Sequence, residues 1–115
     1  MIKFIVRSIS VCKLKISYWF IGIKIAKKEG LKTVQRFFIV DSHSIQTTLD
    51  SLSSSKADMI EIMPGTLDKI INKLSKEIKV PIVAGGLIET KAEVTNALNS
   101  GAFAVSTGKK ELWYI

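Results

Sequence analysis

The sequence predicts an α/β fold in which four parallel strands alternate with helices. Strand-like segments begin near residues 33, 58, 80 and 102, so each unit of strand and helix takes about 22 to 25 residues. Short apolar runs bounded by Gly and Pro are typical of strands buried on both faces. A segment with helical spacing of apolar residues follows each of the first three runs. This alternation indicates a parallel sheet with right-handed crossovers.

The first unit begins with TVQRFFIV (33–40), whose β-branched and aromatic residues predict a strand. The segment DSHSIQTTLDSLSS then predicts a helix that is capped by Asp41 or Ser42. Three apolar residues at helical spacing form its inward stripe: Ile45, Leu49 and Leu52.

The second unit begins with the strand DMIEIM (58–63), which Pro64 and Gly65 end. The segment TLDKIINKLSKEI then predicts an amphipathic helix. Its apolar face consists of Leu67, Ile70, Ile71, Leu74 and Ile78.

The third strand is VPIVAGG (80–86), and TKAEVTNALNSG (90–101) predicts the third helix. The residues that this helix turns inward are Val94, Leu98 and Ala97. The fourth strand is AFAVSTG (102–108), and the segment KKELW after it is suited to a short helix. Four such units fit a flavodoxin-like sheet or half of a (β/α)₈ barrel. A complete barrel seldom has fewer than about 200 residues, so 115 residues are too few to close one.

Residues 1–24 do not fit this pattern, and we expect them to lie outside the domain formed by residues 25–115. They are basic and apolar, and they show no clear turn signal or helix-capping pattern. Residues 1–32 carry eight Lys or Arg and one acid, whereas residues 33–115 carry nine residues of each sign. The net charge of +7 therefore comes from the first quarter of the chain and identifies no partner for the rest.

Composition excludes several protein classes. The single Cys12 excludes a disulfide framework, and one cysteine with one histidine, His43, predicts no metal cluster. The stretch ISYWFIGI (16–23) is too short to span a membrane. Lys13 and Lys15 interrupt the apolar core that a secretory signal requires. We therefore expect a cytoplasmic protein without a membrane anchor.

Glycines and polar residues follow two adjacent strands of the predicted sheet. Gly85 and Gly86 end the third strand, and Ser106, Thr107, Gly108 and Lys109 lie at the end of the fourth. Ligands of parallel sheets bind beyond the carboxyl ends of the strands, and barrels bind phosphate at the loops after the last two strands. These segments therefore predict a phosphate site, although both could instead be plain turns.

Two charged residues lie inside predicted strands, where an unpaired charge is costly. Glu61 alternates with Ile60 and Ile62 and so points to the other face of the sheet, where Arg36 could pair with it. The two residues could form a structural salt bridge or could contact a ligand. No nucleophile with a base, carboxylate pair or metal-spaced cluster stands out, so the sequence does not indicate an enzyme.

Four segments in order carry a family resemblance: KKEGLKTVQRFFIVDSHSI, DMIEIMPG, PIVAGGLIETKAEV and GAFAVSTGKKELW. They closely resemble the glycerol-3-phosphate-responsive antiterminators, which regulate glycerol uptake operons in Gram-positive bacteria. The resemblance covers about residues 25–115 and corresponds to the C-terminal half of the family's (β/α)₈ barrel. It implies a non-enzymatic regulator that acts on leader mRNA, with glycerol 3-phosphate bound, to prevent premature termination of transcription.

The resemblance also implies which residues bind this effector; no other cofactor and no metal is implied. The phosphate end would use Gly85, Gly86, Thr107, Gly108 and Lys109, and the glycerol end would use Arg36, Asp41 and Glu61. Because the family's first half is missing, we expect a truncated copy. Two alternatives remain: a phosphate-binding barrel enzyme of sugar or glycerol phosphates, and a non-functional fragment. Exposed strand edges in such a half-barrel would favour self-association.

Overall fold

Five parallel strands form a single sheet in the computed structural model. The structure describes residues 24–25, 27–30 and 32–114, together with the backbone of residues 4–7. The strands are β1 (Phe4–Arg7), β2 (Val34–Phe38), β3 (Met59–Met63), β4 (Ile82–Gly85) and β5 (Ala104–Thr107). The helices are α1 (Ser42–Ser55), α2 (Asp68–Glu77) and α3 (Lys91–Asn99), and a short 3-10 helix (Lys110–Tyr114) follows β5. The α/β class and the four predicted strands are confirmed.

Strand β1 is an addition to the predicted fold. It lies within residues 1–24 and pairs in parallel with β5, with Phe4 opposite Ala104 and Arg7 opposite Thr107. Four residues without flanking turn signals are too few to be identified as a strand from sequence, so only the pairing reveals it. The sheet therefore extends into residues 1–24. Residues 8–23 lie outside the described residues, and the domain boundary at residue 25 stays a prediction there.

The order of the strands distinguishes between the two predicted architectures. It is β1-β5-β4-β3-β2, so β2 to β5 are neighbours in chain order and the first strand lies beside the last. A flavodoxin-like sheet would place its first strand in the interior, where the direction of winding reverses. A barrel closes by placing its first strand beside its last. The observed order therefore matches part of a (β/α)₈ barrel.

The hydrophobic core lies between the sheet and its helices. Ile60 and Ile62 of β3 and Ile71 and Leu74 of α2 are completely buried. The core continues through β4, α3 and β5 in the residues Ile82, Ala84, Val94, Ala97, Leu98 and Val105. The stripe predicted for α1 is half-buried against the same core and consists of Ile45, Leu49 and Leu52. The amphipathic patterns thus identified the side of each helix that packs on the sheet.

Hydrogen bonds from N-cap residues begin two of the helices. Asp41 Oδ1 accepts from the Ser44 N–H at 2.8 Å at the start of α1. Thr90 Oγ1 accepts from the Glu93 N–H at 3.2 Å at the start of α3. Both caps satisfy backbone donors that a helix start leaves without a partner. None of the described helices is both long enough and apolar enough to cross a bilayer.

We expect Leu74→Ala to lower the free energy of unfolding by about 2 to 5 kcal/mol, because it removes a completely buried side chain from the core. The matched control is Leu87→Ala, whose side chain is 71% exposed, and we expect it to change stability by less than about 0.5 kcal/mol. Urea unfolding followed by circular dichroism measures both. Equal losses in the two variants would contradict the assignment of α2 to the core.

Candidate functional site

The loops after β4 and β5 lie side by side at the carboxyl edge of the sheet. Gly85, the last residue of β4, is the register partner of Ser106 in β5, and Thr107 is the register partner of Arg7 in β1. Neighbouring strands are about 4.8 Å apart. The two segments predicted to hold a phosphate group therefore follow adjacent strands.

A partly buried ion pair lies on the face of the sheet that is opposite the helices. Arg36 Nε is 2.8 Å from Glu61 Oε2, and the two residues are register partners in β2 and β3. The Glu61 side chain is 10% exposed and the Arg36 side chain is 32% exposed. The predicted pairing of the two charges is therefore confirmed. It satisfies one carboxylate oxygen and leaves Oε1 for a second contact.

Gly85 provides the space that the Glu61 carboxylate occupies. A Cβ atom at this position would contact Oε1 and lie 3.0 Å from the carboxyl carbon of Glu61. Gly85 follows Val83, the register partner of Glu61, by two residues, so it lies on the same face of the sheet. The first glycine of the pair is thus required by a neighbouring side chain within the protein.

Gly86 is required by its backbone conformation. Its φ of +84° lies in the left-handed region that favours glycine. Its carbonyl oxygen accepts a hydrogen bond of 2.9 Å from the N–H of Gly65, which joins the loops after β3 and β4. A Cβ atom on Gly86 would also lie 2.8 Å from Met63 Cε. The loop after β4 is therefore held in one conformation by its neighbour.

The side chain of Thr107 is used within the protein. Its hydroxyl donates to the carbonyl oxygen of Ile88 at 2.8 Å and accepts from the N–H of Lys109 at 3.1 Å. The Thr107 carbonyl oxygen also accepts from Trp113 Nε1 at 2.8 Å. Thr107 thus joins the loops after β4 and β5, and these bonds leave its hydroxyl directed away from the face that carries Glu61.

Ser106 belongs to the segment predicted to hold the phosphate group, although the family resemblance does not assign it to the effector site. Its register partner is Gly85, so its side chain lies on the same face of the sheet as Glu61. The residue is 7% exposed, and its hydroxyl has no hydrogen-bond partner among the described residues. The alternation of side chains along β5 explains its orientation, because every second residue of a strand lies on the same face.

Gly108 and Lys109 form the open part of the site. No heavy atom lies within 4 Å of an added Cβ on Gly108, so nothing in the described structure requires a glycine at this position. Lys109 is exposed and immediately precedes the short 3-10 helix, Lys110–Tyr114. An exposed cation beside an unobstructed stretch of backbone is suited to an anionic ligand.

Asp41 has a structural role at the same edge of the sheet. The hydrogen bond from the Ser44 N–H, and then the one from the Ser44 hydroxyl, hold the pKa of Asp41 below its ordinary value of 3.8. The carboxylate is exposed and already accepts these two bonds. The structure therefore explains Asp41 as the cap of α1.

His43 is exposed in the first turn of the same helix. Within the part of the chain that the structure describes, no three residues of His, Cys, Asp or Glu are grouped to hold a metal ion.

Comparison with known proteins identifies what the chain is similar to. The family model for the "Glycerol-3-phosphate responsive antiterminator" matches residues 1–113, a range that includes the N-terminal segment. The uncharacterized protein YgcP of Escherichia coli (strain K12) is 36% identical over 91 residues, which cover 79% of this chain and 48% of that protein. The chain thus spans about half the length of this curated relative.

Two crystal structures have the same fold. The glycerol uptake operon antiterminator regulatory protein from Listeria monocytogenes str. 4b F2365 aligns with a TM-score of 0.80 and 28% identity, over 97% of this chain and 70% of that one. A glycerol uptake operon antiterminator-related protein from Thermotoga maritima MSB8 aligns with a TM-score of 0.71 and 28% identity, over 88% of this chain and 55% of that one.

We expect Gly85→Ala to lower the free energy of unfolding by about 1 to 3 kcal/mol, because the added methyl group would displace the Glu61 carboxylate. Gly108→Ala is the matched control, since it adds the same group where no atom lies within 4 Å, and we expect a change of less than about 0.5 kcal/mol. Chemical unfolding of both variants measures the difference. A Gly85→Ala variant as stable as the control would mean that Glu61 does not depend on this space.

Proposed function

Because the chain belongs to the glycerol-3-phosphate responsive antiterminator family, we propose that it is a regulator that binds glycerol 3-phosphate and acts on leader mRNA of glycerol operons to prevent premature termination. The family match over residues 1–113 is the observation that carries this proposal. The loops after β4 and β5 would bind the effector. Action on a nascent transcript requires a cytoplasmic location and no enzymatic step.

The phosphate group of the effector would lie between the loops after β4 and β5. Gly86 and Gly108 would supply backbone N–H groups, and the Lys109 side chain would supply one positive charge, which together favour a phosphate. Gly85 lies beside Ser106 in the adjacent strand. The Ser106 hydroxyl would face the ligand from the same side of the sheet. Thr107 would act indirectly, since its hydroxyl holds the Lys109 N–H and the Ile88 carbonyl group.

The glycerol hydroxyls would lie toward Glu61. Arg36 holds Glu61 Oε2, and the space above Gly85 holds Oε1. A carboxylate oxygen fixed in this way can accept a hydrogen bond from a ligand hydroxyl, and buried polar groups of this kind discriminate strongly against ligands without the hydroxyl. Asp41 belongs to the same edge but already caps α1, so we rank it below Glu61 as a ligand contact.

We expect glycerol 3-phosphate to shift the amide resonances of Gly85, Gly86 and Gly108 in a ¹H–¹⁵N NMR titration of residues 1–115. Gly108→Val should weaken this binding by at least about tenfold, because its side chain would occupy space that is open in the protein. Lys109→Gln should weaken it by a similar factor through the loss of a charge-assisted contact.

Inorganic phosphate is the ligand control, and Glu61→Gln is the variant control. Glu61→Gln should weaken the binding of glycerol 3-phosphate but leave the binding of inorganic phosphate nearly unchanged. Equal shifts with both ligands in the wild-type chain would contradict selectivity for the glycerol ester. Chemical conversion of the effector would instead favour the enzyme alternative, and dispersed spectra that respond to neither ligand would favour a fragment without effector binding.

We also propose that the chain associates with a second copy of itself along β2. This strand ends the described sheet, and its backbone donors and acceptors on the outer side have no partner strand among the described residues. Val34 and Phe38 are 44% and 50% exposed. They lie on the same face as Arg36, because alternate residues of a strand share a face. Open edges with exposed apolar residues are templates for pairing with another chain.

Phe38→Lys should lower the dimer fraction measured by sedimentation velocity, because a charge on an edge strand opposes pairing between chains. Tyr114→Lys makes a comparable change at a side chain that is 85% exposed and lies away from β2, and we expect it to leave the dimer fraction unchanged. A monomeric wild-type chain, or equal effects of the two substitutions, would contradict the proposed interface.

A further inference from the structure

A second charged region lies at the amino edge of the sheet, at the other end of the strands from the candidate effector site. Six residues line a single depression of about 490 Å³: Lys24, Lys27, Lys28, Ser54, Ser55 and Lys56. The first three precede β2, and the others end α1 or directly follow it. Four of the six residues are lysines, and no acidic residue is among them. We call this region the basic depression.

Lys27 fixes the geometry of the basic depression. Its Nζ donates to the Lys56 carbonyl oxygen at 2.6 Å and lies 3.3 Å from Asp58 Oδ1. Asp58 Oδ2 accepts from the Thr33 N–H at 2.8 Å and from the Thr33 hydroxyl at 3.0 Å. These bonds from Thr33, followed by the contact with Lys27, hold the pKa of Asp58 below its ordinary value of 3.8. Lys27 therefore ties the helical segment before β2 to the edge of the sheet.

Lys28 and Lys56 leave positive charge available to a partner. Both side chains are exposed, and neither forms an ion pair within the described residues. Lys56 has a left-handed backbone with φ of 54°, and its N–H donates to the Leu52 carbonyl oxygen as α1 ends. The end of α1 thus fixes the backbone of Lys56, and Lys27 fixes the segment that carries Lys28.

We infer that the basic depression binds the phosphate backbone of RNA. Clustered lysines around a concave surface attract polyanions and release their counterions, a contribution that does not depend on base sequence. The lining residues include no aromatic side chain on which a base could stack, so the contact is with phosphates. The choice of RNA as the polyanion rests on the proposed function, whereas the clustering of charge does not.

The position of the basic depression allows RNA and effector to bind at the same time. Lys56 precedes β3, whereas Met63 and Pro64 lie at the other end of this strand, near the loop after β4. The five residues of β3 span about 16 Å. The two ligands would therefore occupy opposite edges of one sheet, with β3 and its neighbours between them.

The test uses the double variant Lys28→Gln/Lys56→Asn, since asparagine tolerates the left-handed backbone at position 56. Fluorescence anisotropy with a labelled single-stranded RNA of mixed sequence, about 20 nucleotides long, measures affinity between about 50 and 200 mM salt. We expect weaker binding and a plot of log K against log salt whose slope is less steep by about 1.4, since each lost contact to a single strand contributes about 0.7.

The matched control is Lys73→Gln/Lys76→Gln, which removes the same charge from exposed positions of α2; we expect it to retain more of the wild-type slope. Equal effects of the two double variants, or a wild-type chain without salt-dependent RNA binding, would overturn the inference. The glycerol 3-phosphate titration of Lys28→Gln/Lys56→Asn separates the two proposals. If this variant loses RNA binding but keeps the amide shifts caused by glycerol 3-phosphate, the result supports the basic depression as the RNA site. If glycerol 3-phosphate causes no shifts but RNA binding depends on the two lysines, the result counts against the proposed effector function alone.

Discussion

The Glu61 carboxylate is nearly buried on the face of the sheet opposite the helices, and a charge in such a place must be paired and given room. Arg36 supplies the pair from the adjacent strand, in exact register, and the missing side chain of Gly85 supplies the room. These three residues come from three consecutive strands. Their relative positions depend on the parallel register of the whole sheet, so the site cannot form before β2, β3 and β4 have paired.

The loops around Glu61 are held by contacts between neighbours more than by their own sequences. Gly65 donates to the carbonyl oxygen of Gly86, and the Thr107 hydroxyl bonds the Ile88 carbonyl oxygen. Each bond joins the loop after one strand to the loop after the next. The carboxyl edge is therefore a connected surface whose backbone is organised before any ligand arrives, which lowers the entropic cost of binding.

The two edges of the sheet have different chemistry. The carboxyl edge combines glycine backbone that the neighbouring loops hold in place, the exposed Lys109 and the Glu61 carboxylate, a mixture suited to a small phosphate ester with hydroxyl groups. The amino edge collects lysines around the basic depression. Relatives that match this chain are longer, and about half of YgcP lies outside the aligned region. The effector and RNA sites proposed here are both built from residues that this chain contains.

Local pattern in the sequence was sufficient for the class of fold, because strand and helix periodicities arise from residues close in the chain. It identified the four βα units, the inward stripes of the helices and the pairing of Arg36 with Glu61. Strand β1 could not be found in this way, since its four residues become a strand only by pairing with β5. The roles of Gly85 and Thr107 also depended on tertiary structure. Gly85 makes room for the carboxylate of Glu61, which is 24 residues away in the chain. The Thr107 hydroxyl bonds the carbonyl oxygen of Ile88, which is 19 residues away. Only the packed sheet brings these partners together.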